Sequence, residues 1–207
     1  MKHTFILLFL FCIQIIFSQD YLDEGLFFYS HEVIQDERTS LDLTPDEPLY
    51  LKNGISLEFE ANFRRGDGYY GNIFKIIGDN ELNIDFAAHL ETTTPGDSNF
   101  WLVVKDTMLF KYNWSDIPKG DYDKWIQFKL EINTEASSLT FTINGYKIIK
   151  KINDIKGVED WEIIFGKSNT NNFPTTNVCP MSVKNIKFFD QNNTLIRHWP
   201  LGRHTAN

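Results

Sequence analysis

Alanine is nearly missing from this 207-residue chain: Ala61, Ala87, Ala88, Ala136 and Ala206 stand against 22 isoleucines. Alanine is the best helix former, whereas a branched Cβ suits a pleated strand, so a helical bundle is excluded at the outset. Cysteine is scarcer still, with only Cys12 and Cys179. Cys12 falls in an N-terminal leader, so the folded part has a single thiol and no intramolecular disulfide. Val178 and Met181 flank Cys179, which makes it a small buried hydrophobe rather than a reactive thiol. Basic residues are in deficit, 20 Lys and Arg against 28 Asp and Glu, for a net charge of −8. No cationic excess remains to displace counterions from a phosphate backbone, and nucleic acid is excluded as a partner on that ground. Long apolar runs are absent too. The longest, Phe5 to Phe17, falls short of the roughly 20 residues that cross a bilayer.

That short run has a use of its own. Lys2 and His3 precede it and the small residue Ser18 follows it. This is the layout of a secretory signal peptide over residues 1–18. Residues 19–207 are then expected to form one domain, exported to the periplasm, the cell surface or the medium, with no transmembrane segment in the mature chain. Phe11 is too bulky to precede a lipidated cysteine, so Cys12 is not a lipid anchor.

Aromatic residues are abundant, with 18 Phe, 8 Tyr and 5 Trp, and they fall into period-two patterns. Ile55, Leu57, Phe59, Ala61 and Phe63 alternate with Ser56, Glu58, Glu60 and Asn62, as a strand with one wet face requires. The same alternation recurs over 82–86, 126–132 and 139–143, and the last runs into Asn144-Gly145. That dipeptide between two strand-like runs predicts a tight hairpin, because both of its residues need positive φ. Further apolar runs at 101–104, 161–165 and 181–189 are separated by turn-rich segments. About a dozen strands with short spacers predict an all-β, two-sheet antiparallel jelly-roll sandwich, with a closed barrel as the alternative.

The stretches GISLEFEANFRRGDGYYGNIFKII, KWIQFKLEINTEASSLTFTINGYKI, DWEIIFG and MSVKNIKFFD resemble, in that order, a concanavalin A-like, laminin-G-like jelly roll of exported bacterial proteins. The resemblance covers about residues 20–200, and the Trp125 strand with its Asn144-Gly145 hairpin is its most telling part. The tail, NTLIRHWPLGRHTAN, looks like the end of the N-terminal module of Kelch-containing proteins. This resemblance implies a module that binds a glycan or a surface protein. The alternatives are an assembly domain that docks on a propeller or surface partner, and a glycoside hydrolase with a degenerate site.

The residues themselves spell out no catalyst. Glucanase relatives set acids at alternate strand positions in a pattern close to E-x-D-x-E, which brings two carboxyl groups within about 5–5.5 Å. Here Glu58 and Glu60 alternate, but Asn62 stands where a third acid belongs, and the pair reads as a wet strand face. Asp160 and Glu162 flank Trp161 in the same way. No G-x-S-x-G, phosphate loop or H-x-x-x-H spacing occurs. Many laminin-G-like domains hold one Ca²⁺ at the rim. The loop acids Asp67, Asp79 and Asp97 match no ligand spacing, so no metal or other cofactor is assigned, and calcium stays open through the resemblance alone.

What remains is recognition by aromatic rings, which stack on the apolar faces of sugars and supply amphipathic contact area. Tyr69 and Tyr70 sit in a run containing Gly66, Gly68 and Gly71, while Tyr112 and Trp114 precede the turn at Pro118-Lys119-Gly120. These four are the candidate ligand-binding residues, and convergence of Tyr69, Tyr70 and Trp114 on one concave face is the expected arrangement. Trp101, Trp125 and Trp161 lie inside apolar runs and are expected in the core.

Overall fold

The computed structural model describes residues 25–65, 70–91, 97–170 and 172–202; the expected leader, residues 1–18, lies outside them. Every alternating run is a strand. In chain order they are Leu26–Phe27 (β1), Ser40–Asp42 (β2), Leu49–Tyr50 (β3), Gly54–Phe63 (β4), Tyr70–Gly78 (β5), Leu82–His89 (β6) and Phe100–Val104 (β7). Then follow Thr107–Tyr112 (β8), Trp125–Asn133 (β9), Ser138–Ile143 (β10), Tyr146–Lys151 (β11), Asp160–Gly166 (β12), Met181–Phe189 (β13) and Leu195–Trp199 (β14). Among the described residues the only helical pieces are three 3-10 turns of three residues each, and no helix is long and apolar enough to cross a membrane.

Two seven-stranded antiparallel sheets result. The first runs β1-β13-β4-β9-β10-β11 with β14 also on β13; the second runs β2-β12-β5-β6-β7-β8 with β3 also on β12. This is the predicted two-sheet jelly-roll sandwich. The Asn144-Gly145 turn has φ of 46° and 85°, the left-handed pair that suits a two-residue hairpin. At the free edge of the first sheet, β11 exposes Lys147, Lys150 and Lys151, charges that discourage a further strand from adding there.

The core lies between the sheets and is built from alternate positions. Phe59 and Phe128 of the first sheet meet Phe74, Phe86 and Phe165 of the second. Phe59 stacks on Phe128 at 5.0 Å and meets Phe165 edge-on at 5.1 Å, and Phe86 meets Phe141 at 4.8 Å. Each buried phenyl ring contributes about 2–3 kcal/mol, and well-oriented ring pairs add about 0.5–1.5 kcal/mol. Cys179 is fully buried and free, and burial pushes its thiol above the ordinary range.

One glycine decides how the chain passes between sheets. A Cβ on Gly71 would stand 2.4 Å from the Val178 carbonyl carbon and 2.6 Å from the Cys179 nitrogen. Its absence lets residues 177–179 lie against β5, where Asn72 N donates to Asn177 O at 2.9 Å and Cys179 N donates to Asn72 O at 3.0 Å.

Candidate functional site

Period two gives each strand an inward and an outward set. On β6, Ile84, Phe86 and Ala88 are buried in the core, so Asn83, Asp85, Ala87 and His89 face outward. On β7, Phe100, Leu102 and Val104 point in, leaving Trp101 and Val103 outside. Register then assembles a surface across the second sheet. Tyr70 lies opposite His89, Ala87 opposite Trp101, Trp101 opposite Lys111 and Val103 opposite Met108.

Near the rim this surface is concave. His89, Asp97, Ser98, Trp101, Met108 and Lys111 line a cleft of about 210 Å³. Tyr70 is 42% exposed and packs between two imidazoles, with ring centroids 4.6 Å from His31 and 6.3 Å from His89. His31 is held in turn by Ser30 Oγ at 2.9 Å and Asn177 Oδ1 at 3.3 Å. One end of the second sheet therefore gathers an aromatic floor, a hydroxyl, imidazoles, an ammonium and a carboxylate.

Deeper on the same face lies a closed polar triangle. Lys75 is 4% exposed; its ammonium sits 2.5 Å from Asp85 and donates to Asn83 Oδ1 at 3.1 Å, while Asn83 Nδ2 donates to Asp85 at 2.5 Å. The Phe173 ring caps the ammonium at 5.9 Å. A buried charge with its partners in place is costly to disturb, so the triangle fixes the floor beside the cleft.

The four expected ligand residues separate. Tyr69 lies outside the described residues. Tyr70 is exposed at the cleft, though it opens β5 rather than sitting in a loop. Tyr112 is a correction: it ends β8 on the inward phase with Phe110 and is 1% exposed, so no ligand reaches it. Its hydroxyl has no hydrogen-bond partner among the described residues, and burial, then Tyr146, holds it well above the ordinary tyrosine value. Trp114 is half-buried and packed against the core. It meets Phe100 edge-on at 4.8 Å and Tyr122 at 5.0 Å. Its indole N–H donates to Leu90 O at 3.0 Å, an oxygen that also accepts from the Tyr122 hydroxyl at 2.7 Å. Trp114 plugs the core and does not share a face with Tyr70.

Among the other tryptophans, Trp161 is fully buried as expected. Trp101 and Trp125 are half-buried on outer faces, contrary to the core expectation. The signal was legible: Trp101 is out of phase with Phe100 and Leu102, and Trp125 with Ile126 and Phe128. Apolar neighbours on both sides obscured it.

Glu58 and Glu60 occupy the wet face of β4 as expected. Glu58 pairs with Lys129 at 3.1 Å, and Glu60 accepts from Asn185 at 2.8 Å and meets Lys184 at 3.8 Å. Asp79 and Asp97 do not fit one calcium ion. Asp79 sits in the β5–β6 turn, where it accepts from Glu159 N at 3.2 Å. Asp97 lies beyond the far end of β6, a strand of eight residues and so about 26 Å long. Asp67 lies outside the described residues, among which no three His, Cys, Asp or Glu converge.

No family model matches the sequence, and no curated protein matches it. Solved structures do share its architecture. Tailspike protein 2 of Escherichia coli O157:H7 bacteriophage CAB120 is similar with a TM-score of 0.57 and 11% identity, over 86% of this chain and 26% of that one. The LG4–5 domains of the mouse laminin α1 chain give 0.54 and 12%, over 87% and 46%. The extracellular region of zebrafish Gpr126/Adgrg6 gives 0.53 and 10%, over 86% and 25%. The chain thus spans between a quarter and a half of the length of these proteins, and at such identities the likeness is one of fold. With two seven-stranded antiparallel sheets stacked on a phenylalanine core, this chain has the concanavalin A-like, laminin-G-like jelly-roll fold.

Proposed function

We propose that the chain is an exported, non-catalytic recognition module that holds a carbohydrate on the outer face of its second sheet. The cleft beside Trp101 is the observation that carries this reading. A half-buried indole on the outer face offers a flat apolar platform, while His89, Lys111, Ser98 and Asp97 present the mixed donors and acceptors that sugar hydroxyls need. Tyr70 extends the platform toward the rim, and Tyr69 belongs to the proposal by its place beside Tyr70 in the sequence. A glycoside hydrolase is disfavoured because Glu58 and Glu60 are engaged by Lys129, Lys184 and Asn185 and Asn62 stands where a third acid belongs.

A glycan array followed by affinity electrophoresis tests the reading. At least one glycan should retard the chain, and Trp101→Ala should weaken that binding about tenfold or more without loss of the native circular dichroism spectrum. Failure of every glycan to retard a folded sample would refute it in favour of a protein ligand.

A further inference from the structure

The opposite face of the sandwich carries a second concavity with different chemistry. Across β13, β4, β9 and β10 a trough of about 320 Å³ is lined by Glu58, Glu60, Gln127, Lys129, Asn185 and Lys187. It shares Glu60 and Gln127 with an adjoining hollow of about 590 Å³. That hollow adds Lys119, Lys124, Trp125 and Asn144, so the two form one groove running from the Gly145 turn to the segment before β9.

Two local features shape it. A register shift on β13 between Lys184 and Lys187 puts Asn185 at φ 52° and turns its amide onto Glu60, the re-aiming that strand irregularities provide. The Asn144 side chain donates to Pro118 O at 2.7 Å and accepts from Gln127 N at 2.9 Å. It thereby ties the hairpin to the loop that forms the other wall. Lys184 lies over the Trp125 ring at 4.1 Å.

The charges on this face do not balance. Lys129 has two carboxylate partners, Glu58 and Glu131, while Lys184 and Lys124 have one each in Glu60 and Asp121. Lys119, Lys187 and Lys147 form no ion pair among the described residues, although Lys187 stands opposite Glu58 in the strand register. Lys147 stands opposite Thr142, which lines the trough. Six lysines thus meet four carboxylates along one groove, a local cationic excess on a chain whose net charge is −8.

We infer that this groove is a binding site for a uronic-acid-containing polysaccharide, separate from the cleft on the second sheet. A uronate chain presents both features the groove complements. Its carboxylates meet Lys119, Lys187 and Lys147, and its hydroxyls find acceptors in Glu58 and Glu60 and in the amides of Gln127, Asn144 and Asn185. A phosphodiester chain offers mainly acceptors and would leave Glu58 and Glu60 without the hydroxyl donors that a uronate chain supplies. The local cationic excess also favours encounter with an anionic polymer despite the acidic whole.

The test is titration calorimetry of the purified chain with polygalacturonate, with its fully methyl-esterified form and with duplex DNA. Polygalacturonate should bind, with an affinity that falls as salt rises. Neutralising the uronates by esterification should weaken binding at least about tenfold, and Lys119→Ala with Lys187→Ala should do the same. Native circular dichroism and a melting temperature near that of the parent chain establish that the double variant is folded. Lack of binding by the folded parent, equal binding of the esterified polymer, equal binding of DNA, or an undiminished affinity in the double variant would each overturn the assignment. Binding that survives in the double variant but falls with Trp101→Ala would move the ligand to the second sheet, a result that leaves the reading of that cleft standing.

Discussion

The two outer faces of this sandwich share the alternation that built them but differ in what fills the outward positions. On the second sheet the outward set mixes apolar and polar side chains, and its centre is close to buried: Ile164 is 3% exposed and Lys75 4%, with Ala87, Val103 and Trp101 half-buried beside them. Its one buried charge is closed by Asp85 and Asn83. On the first sheet the outward set is a lattice of lysines and glutamates in which Lys184 is 7% exposed but Lys129 and Glu58 remain partly in water, at 30% and 33% side-chain exposure. Burial lowers the Lys129 ammonium, but Glu58 and Glu131 outweigh it and hold the group above the ordinary lysine value. The comparison teaches that ion pairs whose ammonium groups differ in burial do different work. A pair whose ammonium is out of water, as Lys75 is, fixes a surface, whereas a pair with both groups partly in water leaves side chains free to exchange partners with a ligand.

The widest gap to test lies between tryptophans. Trp161→Ala, in the core, should cost about 3–5 kcal/mol in urea unfolding, whereas Trp101→Ala should cost about 1 kcal/mol or less. Comparable losses would mean that Trp101 is part of the core and not a platform. A smaller gap separates the ion pairs. Lys75→Ala should cost about 2–4 kcal/mol because Asp85 and Asn83 lose a buried partner, while Lys129→Ala should cost less than about 1 kcal/mol. Equal costs would erase the distinction between the faces.

The smallest expected effect is at Tyr112, once a candidate for ligand contact. Its hydroxyl is buried without a partner among the described residues, so Tyr112→Phe should leave stability unchanged or raise it by up to about 1 kcal/mol, and should leave glycan binding alone. The two proteins should diverge in alkali. In the unfolded chain Tyr112 ionises near the ordinary value of 10.0, while burial keeps it neutral in the fold. The folded state then holds the extra proton, and stability present below pH 10 is lost as pH rises above it. Tyr112→Phe should lose less stability over that range in urea titrations, and equal losses would show that Tyr112 reaches solvent.

Much of the fold was legible in advance for a local reason. Side chains on a strand point alternately to opposite sides whatever the partner strands are, so Ile55 to Phe63 announced both a strand and its inner face. Asn144-Gly145 announced a hairpin because its backbone demands are local as well. The site was less legible. Tyr112 and Trp114 looked like a pair two residues apart, yet one ends a strand facing inward and the other begins a 3-10 turn. Trp101 was hidden because the residues beside it in the chain, Phe100 and Leu102, are apolar and blur the alternation.

Composition and period two were thus enough to dictate strands, hairpin and core, since each depends on residues adjacent in the chain. Only the assembled sandwich decided which aromatics meet solvent and which charges find partners. Register set Trp101 beside Ala87 and Lys111, the missing Cβ of Gly71 admitted residues 177–179 against β5, and the shift on β13 turned Asn185 over Glu60. Exposure and convergence depend on distant segments brought together, and no local pattern encodes them.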